Sequence, residues 1–183
     1  MAVALGWAIA TAISLAAGAW SSSQWHLELL PGLAVTHFLM AAMQTVVLRF
    51  RLSRPLWWVP FSCLGGVLSG LGSSFFAWRL SVHPDLTIDY LLSYPLLRGG
   101  ILGLSQYPLL RQHSAYAMGW IPWSAISWWI GFRVALTVMP SPHTTLILGL
   151  VYGGLTGLYW IIPTGPALGI DDLPLHDRRS RHP

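Results

Sequence analysis

The stretch QTVVLRFRLSRPLWWVPFS, residues 44–62, decides the fold of this chain because it occurs twice. Residues 106–124 read QYPLLRQHSAYAMGWIPWS and follow the first stretch at an offset of 62 residues (106 − 44), without a gap. The identical positions are Gln44, Leu48, Arg49, Trp58, Pro60 and Ser62 in the first copy, and Gln106, Leu110, Arg111, Trp120, Pro122 and Ser124 in the second. Six matches at one offset indicate a duplicated structural unit.

The composition around these stretches is that of a membrane protein. Of 183 residues, 54% are apolar and only 9% are charged, whereas a soluble domain carries roughly 25% charged residues. The ten basic residues are all arginine and outnumber six acidic ones, which gives a formal charge of +4. Arginine suits lipid phosphates and carboxylates, and nothing in the chain favours a nucleic-acid partner.

Six apolar stretches approach the 17–25 residues that cross a bilayer. They cover residues 2–19, 30–48, 56–78, 91–110, 116–139 and 144–163. The sequence therefore predicts an all-α integral membrane bundle of six transmembrane helices over residues 1–163, followed by a polar cytoplasmic tail at residues 164–183. The duplicated units are two-helix hairpins, residues 30–78 and 91–139, and two helices per unit make them parallel repeats.

The first and last helices resemble a third, split copy of the hairpin. Six residues of the first stretch match the fifth stretch at an offset of 113, and they include Trp7, which corresponds to Trp120. Glycines of the sixth stretch match the fourth at an offset of 54, with Gly153 corresponding to Gly99. If the ends meet, three hairpins close with pseudo-threefold symmetry. The alternative is that small residues recur in any transmembrane helix.

The arginines set the orientation. Seven of the ten lie between the second and third helices, between the fourth and fifth, or after the sixth. These connections share one side of the membrane, and the positive-inside rule assigns that side to the cytoplasm. Both termini are then expected to be cytoplasmic.

Two arginines fall inside predicted helices and are the first candidates for a binding site. Arg98 and Arg133 stand where the first repeat has Thr36 and Leu71, so they are not part of the repeated scaffold. An arginine within a membrane is costly, which makes it a functional candidate. The expected ligand is a lipid headgroup or a pigment carbonyl. Alternatively, the side chains pair with the acidic residues at 85 and 89 or extend to the membrane surface.

Three further residues are candidates for the same ligand. His37 lies well inside a predicted helix. It is expected either to be an axial ligand of a chlorophyll magnesium or a haem iron, or to be a neutral side chain hydrogen-bonded to a neighbouring helix. Trp128 and Trp129 lie near the middle of the fifth helix, where they contact a flat ligand, another protein or the interior of the bundle. Gln44 and Gln106 are expected to bond between helices. No residue pair has the spacing of a metal site.

The repeated Gln-x-x-x-Leu-Arg stretch, followed by a Trp-rich helix, resembles uncharacterised multi-pass proteins that are common in cyanobacteria and some other phototrophic bacteria. The resemblance covers the second to fifth helices. Family members often carry Trp directly after the glutamine, whereas this chain has Thr45 and Tyr107. The resemblance implies a bacterial inner membrane or a thylakoid membrane and supplies no catalytic residues.

The predicted membrane helices contain no Asp or Glu, which disfavours a proton-coupled transporter. The first functional hypothesis is a non-catalytic accessory subunit of a larger membrane complex. The resemblance to proteins of phototrophic bacteria suggests that this complex is photosynthetic. Its expected partners are other integral membrane subunits and membrane lipids, and its candidate cofactors are chlorophyll and carotenoid. The competing hypothesis is a small-solute transporter with a site between the repeats near Arg98 and Arg133, and an enzyme ranks third.

Overall fold

A computed structural model describes residues 2–24, 29–82, 90–139, 141 and 143–160. This part of the chain is all-α and contains no strand. Its six helices are α1 (Ala2–Gln24), α2 (Leu29–Leu48), α3 (Trp58–Val82), α4 (Tyr90–Leu110), α5 (Trp120–Leu136) and α6 (Thr144–Tyr159). The predicted tail and all six acidic residues lie outside the described ranges.

The helix boundaries differ from the predicted ones at the repeated motif. A short 3-10 turn, Pro55–Trp57, precedes α3, and a second one, Ala117–Gly119, precedes α5. Both repeats therefore enter their second helix at the matching tryptophan, Trp58 or Trp120. Helix α5 is 17 residues long and α6 is 16, or about 24–26 Å at 1.5 Å per residue.

Two of the described helices are long and apolar enough to cross a membrane by length and composition. The qualifying segments are Pro31–Leu48 and Pro55–Phe76, and shorter apolar segments are Val3–Ala19 and Thr144–Tyr159. Of the other two helices, α5 has only 17 residues, and α4 carries Arg98 and two internal prolines. Six membrane crossings stay a prediction.

The helices form a closed ring. Each helix packs against its neighbours in the sequence, and α1 also packs against α6. The chain ends of the described bundle therefore meet, as the split third copy requires. Helices α6 and α1 occupy the place that α2 and α3, or α4 and α5, occupy in the complete repeats.

Gln44 ties three helices together in the first repeat. Its Nε2 donates to Thr11 Oγ1 on α1 at 2.9 Å, and its Oε1 accepts from Trp58 Nε1 on α3 at 2.9 Å. The Gln44 side chain is only 1% exposed. A buried amide has to satisfy donors and an acceptor, and this arrangement satisfies both ends with one side chain.

Gln106 makes the same connections in the second repeat. Its Nε2 donates to Ser62 Oγ on α3 at 2.8 Å, and its Oε1 accepts from Trp120 Nε1 on α5 at 2.9 Å. The two glutamines thus bond between helices in equivalent ways. The sequence match between the repeats corresponds to a match in hydrogen bonding.

The third copy replaces the glutamine with two residues of α6. Trp7 Nε1 donates to Thr156 Oγ1 at 2.9 Å, which serves the tryptophan. The Tyr152 hydroxyl lies 3.3 Å from Ser124 Oγ on α5, the hydroxyl residue of the preceding helix. Two side chains one helical turn apart therefore share the bonds that one glutamine makes in the other copies.

The packing of α6 corrects the offset between the third copy and the second. A β-carbon added at Gly99 would lie 2.8 Å from Ala125 Cα, and one added at Gly149 would meet Ala12 Cα. Ala125 and Ala12 are matched by the offset of 113 (125 − 12). Gly149 is therefore equivalent to Gly99, which gives an offset of 50 (149 − 99) rather than 54. The glycines recur every four residues, so the sequence alignment was one helical turn out.

A cluster of tryptophans closes one end of the ring. The indoles of Trp7, Trp58, Trp120 and Trp160 are at most 5% exposed. Every pair of their ring centroids lies 5.5–6.4 Å apart, in tilted or edge-to-face contacts. Such contacts add about 0.5–1.5 kcal/mol per pair beyond burial. We refer to these four residues as the tryptophan cluster.

Candidate binding site between the helices

A cavity of about 190 Å³ lies inside the ring, away from the tryptophan cluster. Its lining comes from five helices and consists of Leu15, Ala19, Thr36, Tyr94, Arg98, Trp128, Phe132, Thr145 and Leu148. On α1, Ala19 lies 12 residues beyond Trp7 (19 − 7), or about 18 Å along the helix. The cavity is therefore at the end of the bundle that the sequence predicts to face outward.

Arg98 supplies the charge in this cavity. Its guanidinium lies over the Trp128 ring, 5.1 Å from the centroid, and its Nη1 donates to the Tyr94 hydroxyl at 3.0 Å. Tyr94 is one helical turn earlier on α4, so both side chains leave the same face. The Arg98 Nε is buried and has no hydrogen-bond partner among the described residues. The structure thus brings together Arg98 and Trp128, two of the five predicted ligand-binding residues.

Trp128 is an internal packing residue on its other side. It is 2% exposed, and its ring meets the Tyr152 ring edge-on at a centroid distance of 4.7 Å. Gly99 provides the space for it, since a β-carbon at Gly99 would lie 2.8 Å from Trp128 Cβ. Trp128 therefore forms the floor under Arg98 and is held by residues of α4 and α6.

His37 is fully buried and does not line the cavity. Its Nδ1 is 2.8 Å from Leu33 O on the same helix, and a β-carbon at Gly66 would collide with its ring. The hydrogen bond to a neighbouring helix that the sequence predicted as an alternative does not occur among the described contacts of His37. The His37 Nε2 is buried without a hydrogen-bond partner among the described residues.

His37 and Trp128 lie at the same level of their repeats, but the large side chain and the glycine that faces it have exchanged helices. His37 corresponds to Gly99, and Gly66 corresponds to Trp128, at the repeat offset of 62. In the first repeat the large side chain is on α2 and faces a glycine on α3. In the second repeat the glycine is on α4 and the large side chain is on α5. The exchange places Trp128, rather than a small residue, beneath Arg98.

Arg133 and Trp129 lie apart from the cavity. Arg133 is exposed on the outside of α5 and borders a shallow depression of about 410 Å³ with Val134, Leu136 and Thr137. Trp129 is half-buried. The residues that share the interior ligand site are therefore fewer than the sequence predicted.

The remaining repeat residues are structural or lie at the surface. Trp58 and Trp120 belong to the tryptophan cluster, and their indole N–H groups bond the repeated glutamines. Arg49 and Arg111 are exposed at the ends of α2 and α4, and Arg49 covers the Phe50 ring at 4.5 Å. No ligand is needed to explain any of these contacts.

The sequence patterns did not single out three residues of the structure that matter here, Tyr94, Tyr152 and Thr156. Tyr94 had a signal, because it lies four residues before Arg98 and such pairs meet on a helix. Tyr152 and Thr156 had none, because they take over the role of a glutamine without resembling it. Residues that hold a metal are not grouped either: no cluster of three His, Cys, Asp or Glu occurs among the described residues.

Comparison with known proteins finds no matching family, no matching curated protein and no matching solved structure.

Proposed function

We propose that the protein is a non-catalytic integral membrane subunit of a larger membrane complex, with six crossings and a ligand site inside the ring. The observation that carries this proposal is the pairing of interior polar groups with one another. The two glutamines, their hydroxyl partners and three indole N–H groups form closed sets of hydrogen bonds. Such a network supports a scaffold role, because these buried polar groups bond to one another across the helices.

The distribution of side chains supports six crossings. The interior holds buried polar residues, whereas large apolar side chains on all six helices are exposed. Examples from α1 to α6 are 47–64% exposed and are, in order, Leu5, Phe38, Phe75, Leu104, Ile126 and Leu158. A soluble monomer rarely exposes apolar surface on this scale, whereas lipid or a partner helix covers it favourably.

The surface arginines support the proposed orientation. Arg49, Arg51, Arg54 and Arg111 are exposed, and they follow α2 and α4 at the end that holds the tryptophan cluster. By the positive-inside rule this end faces the cytoplasm. The membrane proposed from the resemblance is a bacterial inner membrane or a thylakoid membrane.

The small-solute transporter is the second candidate, and the cavity at Arg98 favours it. A transport path through the ring would have to pass the tryptophan cluster and the glutamine bonds, which close the opposite end. Rearranging four buried indoles, three of which donate hydrogen bonds, is costly. We therefore place the cavity in a binding role. At about 190 Å³ it is smaller than the roughly 300–1,000 Å³ clefts that bury drug-sized ligands, so a chlorophyll or carotenoid would have to bind mainly outside the ring.

Two measurements test the proposal. Reporter fusions after residue 183 and within residues 81–87 should report opposite sides of the membrane, and equal signals would refute the six-crossing topology. Blue-native electrophoresis of mildly solubilised native membranes should place the protein in a band larger than its own oligomers. Migration as a monomer or small homo-oligomer, together with solute uptake after reconstitution, would replace the subunit with the transporter.

A further inference from the structure

We infer that Arg98 binds a single oxyanion group, a carboxylate or a phosphate, inside the cavity between α1, α2, α4, α5 and α6. The inference rests on the proposed function in one respect, the placement of the six helices in a membrane. The shared chemistry is an oxyanion, and its source is either the head of an amphiphile or a free anion. The experiment below separates these two sources.

The geometry of the guanidinium leaves one edge for such a group. The Trp128 ring covers one face at 5.1 Å, and Nη1 donates to the Tyr94 hydroxyl at 3.0 Å. The opposite edge carries Nε and Nη2, and Nε is buried with no hydrogen-bond partner among the described residues. A carboxylate or phosphate presents two oxygens at the spacing that matches this edge. The ring and the tyrosine hold the fork in place before the ligand arrives.

An anion would also balance the charge of Arg98. All six acidic residues lie outside the described ranges, so no carboxylate of the described bundle balances this guanidinium. The described side chain that bonds to Arg98 is Tyr94, which contributes a hydroxyl and no carboxylate. An arginine within a membrane bundle is costly, and pairing with an anion is one of the ways to offset that cost. Asp85 and Asp89, in the segment before α4, are the internal competitors for this role.

The size and lining of the cavity favour a headgroup over a whole ligand. A volume of about 190 Å³ equals that of about six water molecules at about 30 Å³ each. It is smaller than the site that a drug-sized ligand requires. Leu15, Phe132 and Leu148 make the walls apolar, and Thr36 adds a hydroxyl. An oxyanion therefore fits at Arg98, while an attached acyl chain would continue along the apolar outside of the ring.

The test uses the purified full-length protein in a neutral detergent. The probes are oleate, phosphatidylglycerol and inorganic phosphate, with oleyl alcohol as the uncharged match for oleate. The midpoint of thermal unfolding is recorded against probe concentration, because a ligand that binds the folded state raises it. Oleate or phosphatidylglycerol should raise the midpoint in a saturable way. The half-saturating concentration should increase roughly tenfold or more in Arg98→Gln, as expected for loss of a charged hydrogen-bonded pair.

Matched variants isolate the role of the arginine fork. Arg133→Gln removes a charge from the outside of α5 and should change half-saturation by less than about twofold. Arg98→Lys keeps the charge but loses the two-pronged geometry, so it should bind more weakly than the native protein. Circular dichroism checks that each variant is folded. If Arg98→Gln does not fold, Arg98→Lys and Tyr94→Phe carry the comparison.

Each outcome decides the inference. Saturation by oleate but not by phosphate supports an amphiphile as the source, and equal saturation by phosphate supports a free anion. Equal stabilisation by oleyl alcohol, or unchanged binding in the Arg98 variants, overturns the inference. Binding that emerges only in Asp85→Asn/Asp89→Asn identifies an internal carboxylate as the counter-ion and also overturns it. A protein that binds oleate through Arg98 but migrates alone on native gels refutes the subunit proposal while leaving the oxyanion site intact.

Discussion

Gly99 and Gly100 are neighbours on α4 that should respond in opposite ways to the same substitution. A β-carbon at Gly99 would lie 2.6 Å from Ser124 O and 2.8 Å from Ala125 Cα, both on the backbone of α5. A β-carbon at Gly100 would lie 4.0 Å from Ala125 Cβ, an ordinary contact distance. Backbone atoms of a packed helix cannot move aside individually, so Gly99→Ala has to separate α4 from α5, whereas Gly100→Ala fits.

The magnitude follows from two opposing effects. Overpacking in a close-packed interior costs about 1–3 kcal/mol, and alanine gains about 1 kcal/mol over glycine in a helix. The helix-propensity gain is common to both variants and cancels in their difference. We therefore expect Gly99→Ala to be less stable than Gly100→Ala by about 1–3 kcal/mol, with Gly100→Ala equal to or more stable than the native protein.

The assay is unfolding in mixed micelles with increasing sodium dodecyl sulfate, followed by circular dichroism of the helical signal. The same comparison applies to α6, where Gly149→Ala should behave like Gly99→Ala. Gly154→Ala should behave like Gly100→Ala, since no described atom lies within 4 Å of the added carbon. Equal stability of Gly99→Ala and Gly100→Ala would refute the packing of α4 on α5. A neutral Gly149→Ala would refute the corrected offset of 50 between the third copy and the second.

Three further predictions concern the hydrogen bonds and the tail. Gln106→Leu should destabilise the bundle by about 1–3 kcal/mol in the same micelle titration, because it leaves the Ser62 hydroxyl and the Trp120 indole N–H unpaired. Gln112→Leu at the exposed surface should have little effect, and similar losses in both variants would contradict the proposed scaffold role. His113→Ala removes the acceptor that lies 3.1 Å from the Ser53 amide nitrogen and should speed tryptic cleavage of the loop between α2 and α3, with unchanged cleavage counting against this contact. Deleting residues 164–183 should release the protein from its native complex on blue-native gels while leaving it in the membrane fraction, and retention in the complex would show that docking lies elsewhere.

Much of the candidate site was readable from residue types, but its membership was not. Arg98 and Arg133 gave equal signals in the sequence, because each adds a charge to one copy of the repeat. The structure separates them: Arg98 is directed toward the cavity with Trp128, and Arg133 is exposed on the outer surface. The difference is a rotation about the helix axis, and a local apolar stretch that is hydrophobic on every side does not record which face points inward.

The duplication, the all-α class and the internal role of the glutamines follow from the sequence alone. Identical spacing preserves identical local geometry, and a polar amide among apolar residues has to find a partner inside the bundle. The register of α6 and the replacement of the third glutamine by Tyr152 and Thr156 were decided by the tertiary structure. Glycines that repeat every four residues match equally well one turn away, so only the backbone contacts of Gly149 select the offset. Similarly, a hydrogen-bond role can pass between unlike side chains whenever the surrounding helices bring a donor and an acceptor within reach.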